Sequence, residues 1–146
     1  MWSGPQRVVV ATDDDPLRLR SGVELAPVEV TYETFGELSA AGDNVVVVCH
    51  ALTGDAHVAG EGGWWANLVG PGLALDTDRW FVVCANLLGG CRGTTGPSSI
   101  DPRTGRPYGL GFPLFEVADQ VDVHRRLLER LGIGRLHADR KSTRLN

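Results

Sequence analysis

No stretch of this 146-residue chain approaches the roughly 18 consecutive apolar residues of a membrane-spanning helix. A basic surface is equally missing: fourteen Lys and Arg against eighteen Asp and Glu give a formal net charge of −4, which argues against a nucleic-acid partner. No basic segment followed by an apolar run opens the chain, so it does not read as a secretory leader. Cysteine is scarce and odd in number, with Cys49, Cys84 and Cys91 at spacings unlike a zinc motif. Cys49 and Cys84 sit in valine-rich runs, where a thiol behaves as a small apolar group. A reducing, cytoplasmic setting is the expectation. Two further absences bear on chemistry. None of the six serines (Ser3, Ser21, Ser39, Ser98, Ser99, Ser142) stands in the G-x-S-x-G type of elbow that exposes a nucleophile, and Ser98 and Ser99 read as turn residues after Pro97. His50, Asp55 and His57 are too few for a metal site, so none is expected. Gly89-Gly90 and Gly93 are not followed by a helix at dinucleotide-binding spacing.

What is present is ordinary globular material, 42% apolar and 22% charged, with one strong signal. Val45 to Val48 is a run of four β-branched residues leading into Cys49 and His50. Such a run predicts a strand buried on both faces, as in a parallel sheet covered by helices. It ends in Ala51-Leu52-Thr53-Gly54, and a strand end with free amides is where an open α/β sheet does chemistry. Arg79 to Asn86 predicts a second buried strand. Val28 to Gly36 alternates, which predicts one wet face and a place in an edge meander. Val8 to Ala11 is a short apolar run, and Leu17 to Arg20 alternates before a turn at Gly22.

Nineteen glycines are many for this length, and they concentrate between Gly54 and Gly111. Trp64-Trp65 stands in this region; adjacent indoles are costly to expose, so they lock the loop onto the protein, line a pocket, or both. A short helix is expected around Trp65 to Val69, and no regular structure from Asp101 to Pro113. Phe115 to Leu131 predicts the one long helix, with Val117, Val121, His124, Leu127, Leu128 and Leu131 as its apolar stripe and Gly132 as its stop. Leu136-His137-Ala138 reads as the start of another strand. The order of elements is that of an α/β domain over residues 1–138. Residues 139–146 are polar and basic where strand residues are called for, and they resemble the translation of a common sequencing adapter. They are read as a non-native tail.

Several segments together resemble one family. They are His50-Ala-Leu-Thr-Gly-Asp-Ala-His57, Gly63-Trp-Trp65, Leu68-Val-Gly-Pro-Gly72, Leu75-Asp-Thr-Asp-Arg79, Asn86-Leu-Leu-Gly-Gly-Cys91, Gly93-Thr-Thr-Gly-Pro-Ser-Ser99 and Gly105-Arg-Pro-Tyr-Gly109. In this order, over roughly Pro27 to Ala138, the chain is similar to the amino-terminal third of the homoserine O-acetyltransferases of methionine biosynthesis. The resemblance implies an α/β-hydrolase fold, truncated before the nucleophile elbow and holding the amino-terminal half of a mostly parallel sheet. It also implies transfer of an acetyl group from acetyl-CoA, as co-substrate and with no cofactor, to L-homoserine through a seryl-enzyme. Of the site, it implies that the backbone N–H of Leu52 is an oxyanion-hole donor and that the Thr53 hydroxyl faces substrate. The nucleophilic serine and its Asp and His have no counterpart here; none of the four histidines matches, His124 included. The chain alone is therefore expected to be inactive and unstable, and the full-length protein to be a homodimer. Alternatives within the fold are a serine O-acyltransferase, a homoserine O-succinyltransferase or a hydrolase. A non-catalytic binding domain is the alternative outside it.

Overall fold

Val45–Cys49 forms the strand its composition predicts, and Val45 to Val48 are all buried. In the computed structural model, which describes residue 2 and residues 4–141, it lies inside a five-stranded sheet. The strands in chain order are β1 (Gln6–Ala11), β2 (Leu17–Arg18), β3 (Glu24–Leu25), β4 (Val28–Phe35), β5 (Val45–Cys49), β6 (Val69–Gly70), β7 (Leu75–Asp76), β8 (Phe81–Ala85), β9 (Ile100–Asp101), β10 (Arg106–Pro107) and β11 (Ala138–Lys141), with one α-helix, α1 (Val117–Arg130). The large sheet has the order β1-β4-β8-β5-β11. Strands β5 and β8 are parallel with Val46 opposite Val82, β11 is parallel to β5 with Lys141 opposite Cys49, and β4 runs antiparallel to β8. The remaining short strands form three two-stranded ladders, β2 with β3, β6 with β7 and β9 with β10.

The chain divides into two compact units. One is built on residues 32–85 and takes in β5, β8 and β11; the other is built on residues 7–31 and 86–131 and takes in α1. In the first, Phe35, Val48, Val58, Val69, Val82 and Cys84 form a buried cluster, covered by Trp64, Trp65 and Trp80. Each valine so buried contributes on the order of 1.5–3 kcal/mol relative to exposure. In the second, Val10, Leu17, Leu25, Val28, Val30, Val123 and Leu127 are buried.

Four expectations are corrected. Strand β4 has no wet face and is not an edge: all its residues but Glu29 are buried, and it lies between β1 and β8. Its polar positions face the interior: Glu33 meets His57 at 2.9 Å and the Thr31 backbone N–H donates to the Thr94 hydroxyl at 3.0 Å, while the Thr31 hydroxyl is buried without a partner among the described residues, so alternation here is not amphipathicity. Helix α1 buries Asp119, Val123 and Leu127, leaving Val117 and Val121 exposed. Asp119 turns this face inward: wholly buried, it accepts the Glu116 N–H at 2.7 Å and the Arg20 N–H at 3.0 Å. Residues 65–69 make a single turn, because the chain then enters the β6–β7 ladder and Leu68 O accepts from Leu75 N–H. Residues 101–113, expected to be irregular, complete the β9–β10 ladder and a 3-10 turn at Gly109–Gly111. The backbone of Asp139–Lys141 continues β11, and Ser142 to Asn146 lie outside the described residues.

Asp119 gives a test of this packing. Hydrogen bonds to a charged acceptor contribute about 1.5–3 kcal/mol each, and Asp119→Ala removes two and leaves two N–H groups without an acceptor. A loss of about 3 kcal/mol in denaturant unfolding of the longer protein is expected, with Asp119→Asn losing clearly less. Equal, small effects of both would contradict this role.

Candidate active site

The end of β5 is built by side chains that fix the backbone rather than face solvent. His50 is 8% exposed, and its Nδ1 lies 2.7 Å from the Ala51 carbonyl oxygen. A carbonyl only accepts, so Nδ1 carries the ring proton. Ala51 O also accepts the Gly54 N–H at 2.7 Å, closing a four-residue turn with Leu52 and Thr53 at its centre. Neither central residue has a positive φ, which leaves a type I turn among the common forms. Gly54 is needed for closeness, since a Cβ there would stand 3.2 Å from both Ala51 O and His50 Cβ.

Ladder pairing with β8 ends at Val48 and with β11 at Cys49, so Leu52 lies past the sheet. Its side chain is 89% exposed, and its N–H makes no hydrogen bond among the described residues. Thr53 is exposed beside it. The two residues singled out from the sequence therefore stand together on an open turn. The arrangement can present an amide to an incoming anion; no nucleophile stands in this unit's turn to generate one.

The loop that follows is held from several sides. Asp55 O accepts from Trp64 Nε1 at 2.9 Å, and the Cys84 thiol approaches the same oxygen at 3.9 Å. The Asp55 carboxylate accepts the His57 N–H at 3.0 Å. Trp64 and Trp65 pack ring to ring with centroids 4.8 Å apart against the buried cluster: they lock the loop. His57 Nδ1 is 2.9 Å from Glu33 Oε2 and Nε2 is 2.8 Å from Glu61 O. These acceptors hold the His57 pKa above the ordinary imidazole value, the Glu61 carbonyl foremost and the Glu33 carboxylate next. Burial pushes the Cys84 thiol well above its usual range, leaving it inert, and all three cysteines are free.

Other candidates are placed as follows. His50, Asp55 and His57 do not converge, and no group of three metal-ligating side chains occurs among the described residues. Ser99 is a turn residue whose hydroxyl accepts the Gly96 N–H at 3.0 Å. The amides of Gly89 and Gly90 donate to Thr95 O and Leu87 O, so they are not open to a phosphate. His124 is half-buried on α1, and His137 packs on Trp80 with ring centroids 4.2 Å apart. A cleft of about 450 Å³ in the second unit is lined by Asp13, Glu24, Arg103 and Tyr108 among others. The Arg103 guanidinium there is already bound to Asp101 through two bonds, at 3.0 and 2.9 Å, and offers no free charge.

Sequence reasoning missed Glu33, Asp119 and Arg126, whose guanidinium donates to the carbonyls of Val10, Asp15 and Pro16. Glu116 and Asp119 form a reciprocal cap at the start of α1, but the pair departs from the Ser/Thr-x-x-Glu/Gln pattern of the usual signal, so the sequence did not point to Asp119.

A family model described as alpha/beta hydrolase fold matches residues 44–138. The chain is 61% identical over 139 residues to a homoserine O-succinyltransferase of a Nocardioides species, covering 91% of this chain and 38% of that protein. It is 58% identical over 136 residues to a homoserine O-acetyltransferase of Symbiobacterium thermophilum, covering 88% and 36%. The crystal structure of homoserine O-acetyltransferase from Bacillus anthracis superposes with a TM-score of 0.88 at 33% identity, covering 98% of this chain and 40% of that one. The chain thus spans well under half the length of these relatives. No helix among the described residues is long and apolar enough to cross a membrane.

Proposed function

Because the chain belongs to the alpha/beta hydrolase fold family, we propose that it forms the amino-terminal part of a homoserine O-acyltransferase and supplies one half of the oxyanion hole. The observation that carries this reading is the Leu52 N–H, without a partner among the described residues, on a turn just past a central parallel strand. A serine supplied by the rest of the longer protein attacks the thioester of acetyl-CoA, and the carbonyl oxygen takes up negative charge. The Leu52 N–H donates to that oxygen, a contribution of about 3–4 kcal/mol for a well-aimed donor. Coenzyme A leaves as the thiol, and the L-homoserine hydroxyl then takes the acetyl group from the serine. The Thr53 hydroxyl, exposed on the same turn, faces the substrate side. Methionine biosynthesis in a reducing cytoplasm belongs to the same reading, and so does a homodimer of the full-length enzyme.

A second reading differs only in the acyl group. The similarity to a protein named homoserine O-succinyltransferase, 61% identical, favours succinyl-CoA as donor. The test uses the longer protein with each thioester, with and without L-homoserine. Coenzyme A release that requires homoserine, with O-acetylhomoserine formed, is expected. Preference for succinyl-CoA would favour the second reading. Release indifferent to homoserine would mean a hydrolase, and no release with either donor would remove the acyl-transfer reading.

A further inference from the structure

Glu33 projects from β4 with its side chain 6% exposed, a placement that is unfavourable for an uncompensated charge. Its Oε2 accepts from Trp2 Nε1 at 2.7 Å and from His57 Nδ1 at 2.9 Å. The Trp2 and His57 rings lie against each other with centroids 5.3 Å apart. On its far side the imidazole meets the Glu61 carbonyl through Nε2 at 2.8 Å. Both ring nitrogens of His57 thus face acceptor oxygens, the arrangement that favours the imidazolium. The groups facing it agree with this: Glu33 on β4, Asp55 and the Glu61 carbonyl on its own loop, and the neutral indole of Trp2. From β8 the Cys84 thiol, kept protonated by burial, reaches the Asp55 carbonyl.

His57 follows Gly54 by three residues. The upstream end of the Ala51–Gly54 turn is fixed by the β5 ladder, and its downstream end leads directly into the segment that His57 ties to β4. We infer that Glu33 and His57 are a positioning pair for this turn: their charged bond holds its downstream end, so that the Leu52 N–H stays aimed while His57 keeps both ring protons. The inference rests on the acyl-transfer reading for its catalytic consequence, though not for the bond itself. A donor displaced by about 1 Å can lose on the order of 100-fold in rate, so a partial loosening has a measurable effect. The direction with pH follows from the raised pKa of His57. The added stability is full below the ordinary imidazole range and is lost as pH rises through the folded-state value.

The test uses the longer enzyme, wild type and Glu33→Gln, with imidazole ¹⁵N NMR and kcat and KM measured against pH. His57 is expected to hold two ring protons at pH 7, and kcat to fall over the interval in which it loses one, with KM little changed. Glu33→Gln is expected to move both midpoints to lower pH and to lower kcat by roughly tenfold at mildly alkaline pH. A singly protonated His57 at pH 7, or an alkaline limb unmoved by Glu33→Gln, would overturn the inference. Should the wild-type enzyme transfer no acyl group, the function reading fails alone. Hydrogen-exchange protection of the Gly54 amide, corrected for intrinsic rate, then decides in wild type without any variant. It must fall across the His57 titration, and constant protection would overturn the pair's role.

Discussion

Replacing Leu52 by proline in the longer enzyme is expected to lower kcat for acyl transfer by about 10²–10³-fold with KM little changed, the signature of a bond made only in the transition state. The substitution removes one hydrogen-bond donor and disturbs little else. Leu52 occupies the second position of its turn, where proline is favoured, and the closing bond runs from Gly54 N–H to Ala51 O, neither atom being changed. Its side chain, 89% exposed, contributes little packing. Leu52→Ala, which keeps the N–H, is expected to stay within a few-fold of wild type. Steady-state kinetics of the two variants separate the amide from the side chain. Equal activity in Leu52→Pro and wild type would remove Leu52 from the oxyanion hole.

A large effect on stability is also expected at Gly36, where β4 ends. Its φ is +84°, and a Cβ there would stand 2.3 Å from Trp80 O and 2.6 Å from Thr77 O. Both obstacles are backbone, so no side chain can swing aside. Gly36→Ala therefore combines left-handed strain with a clash that pushes β4 from β8 at the Phe35–Val82 pair. A loss on the order of 3 kcal/mol is expected, read as a lowered denaturant midpoint of the longer protein. Gly105 is the control: φ is +68° with nothing within 4 Å of the added Cβ. Gly105→Ala carries the strain alone, about 1–2 kcal/mol. Equal losses at the two sites would show that the close approach to Trp80 does not matter.

The central strands were legible because their composition is one-sided: four successive valines have no wet face to offer, and they are buried. The turn after them was legible from small and polar residues at a strand end, and the architecture followed from many motifs in order, as the family match and the Bacillus anthracis structure bear out. What escaped was every polar residue whose partner is distant along the chain. Glu33 finds His57 24 residues on, Thr31 finds Thr94 63 residues on, and Asp119 accepts from Arg20 across 99. Local alternation treats such residues as solvent-facing, because nothing within a window of ten reveals the distant group that will meet them. The same blindness rotated the expected face of α1, where hydrophobicity put Val117 and Val121 inward and the buried carboxylate of Asp119 put them outward.

The account turns on where one amide points when charge develops, and a crystal structure of the longer enzyme carrying a tetrahedral boronate or phosphonate on its nucleophile measures this directly. The oxygen standing for the oxyanion is expected about 2.7–3.1 Å from the Leu52 backbone nitrogen. That oxygen held by other donors, with the Leu52 N–H turned to solvent or beyond hydrogen-bond reach, would contradict it.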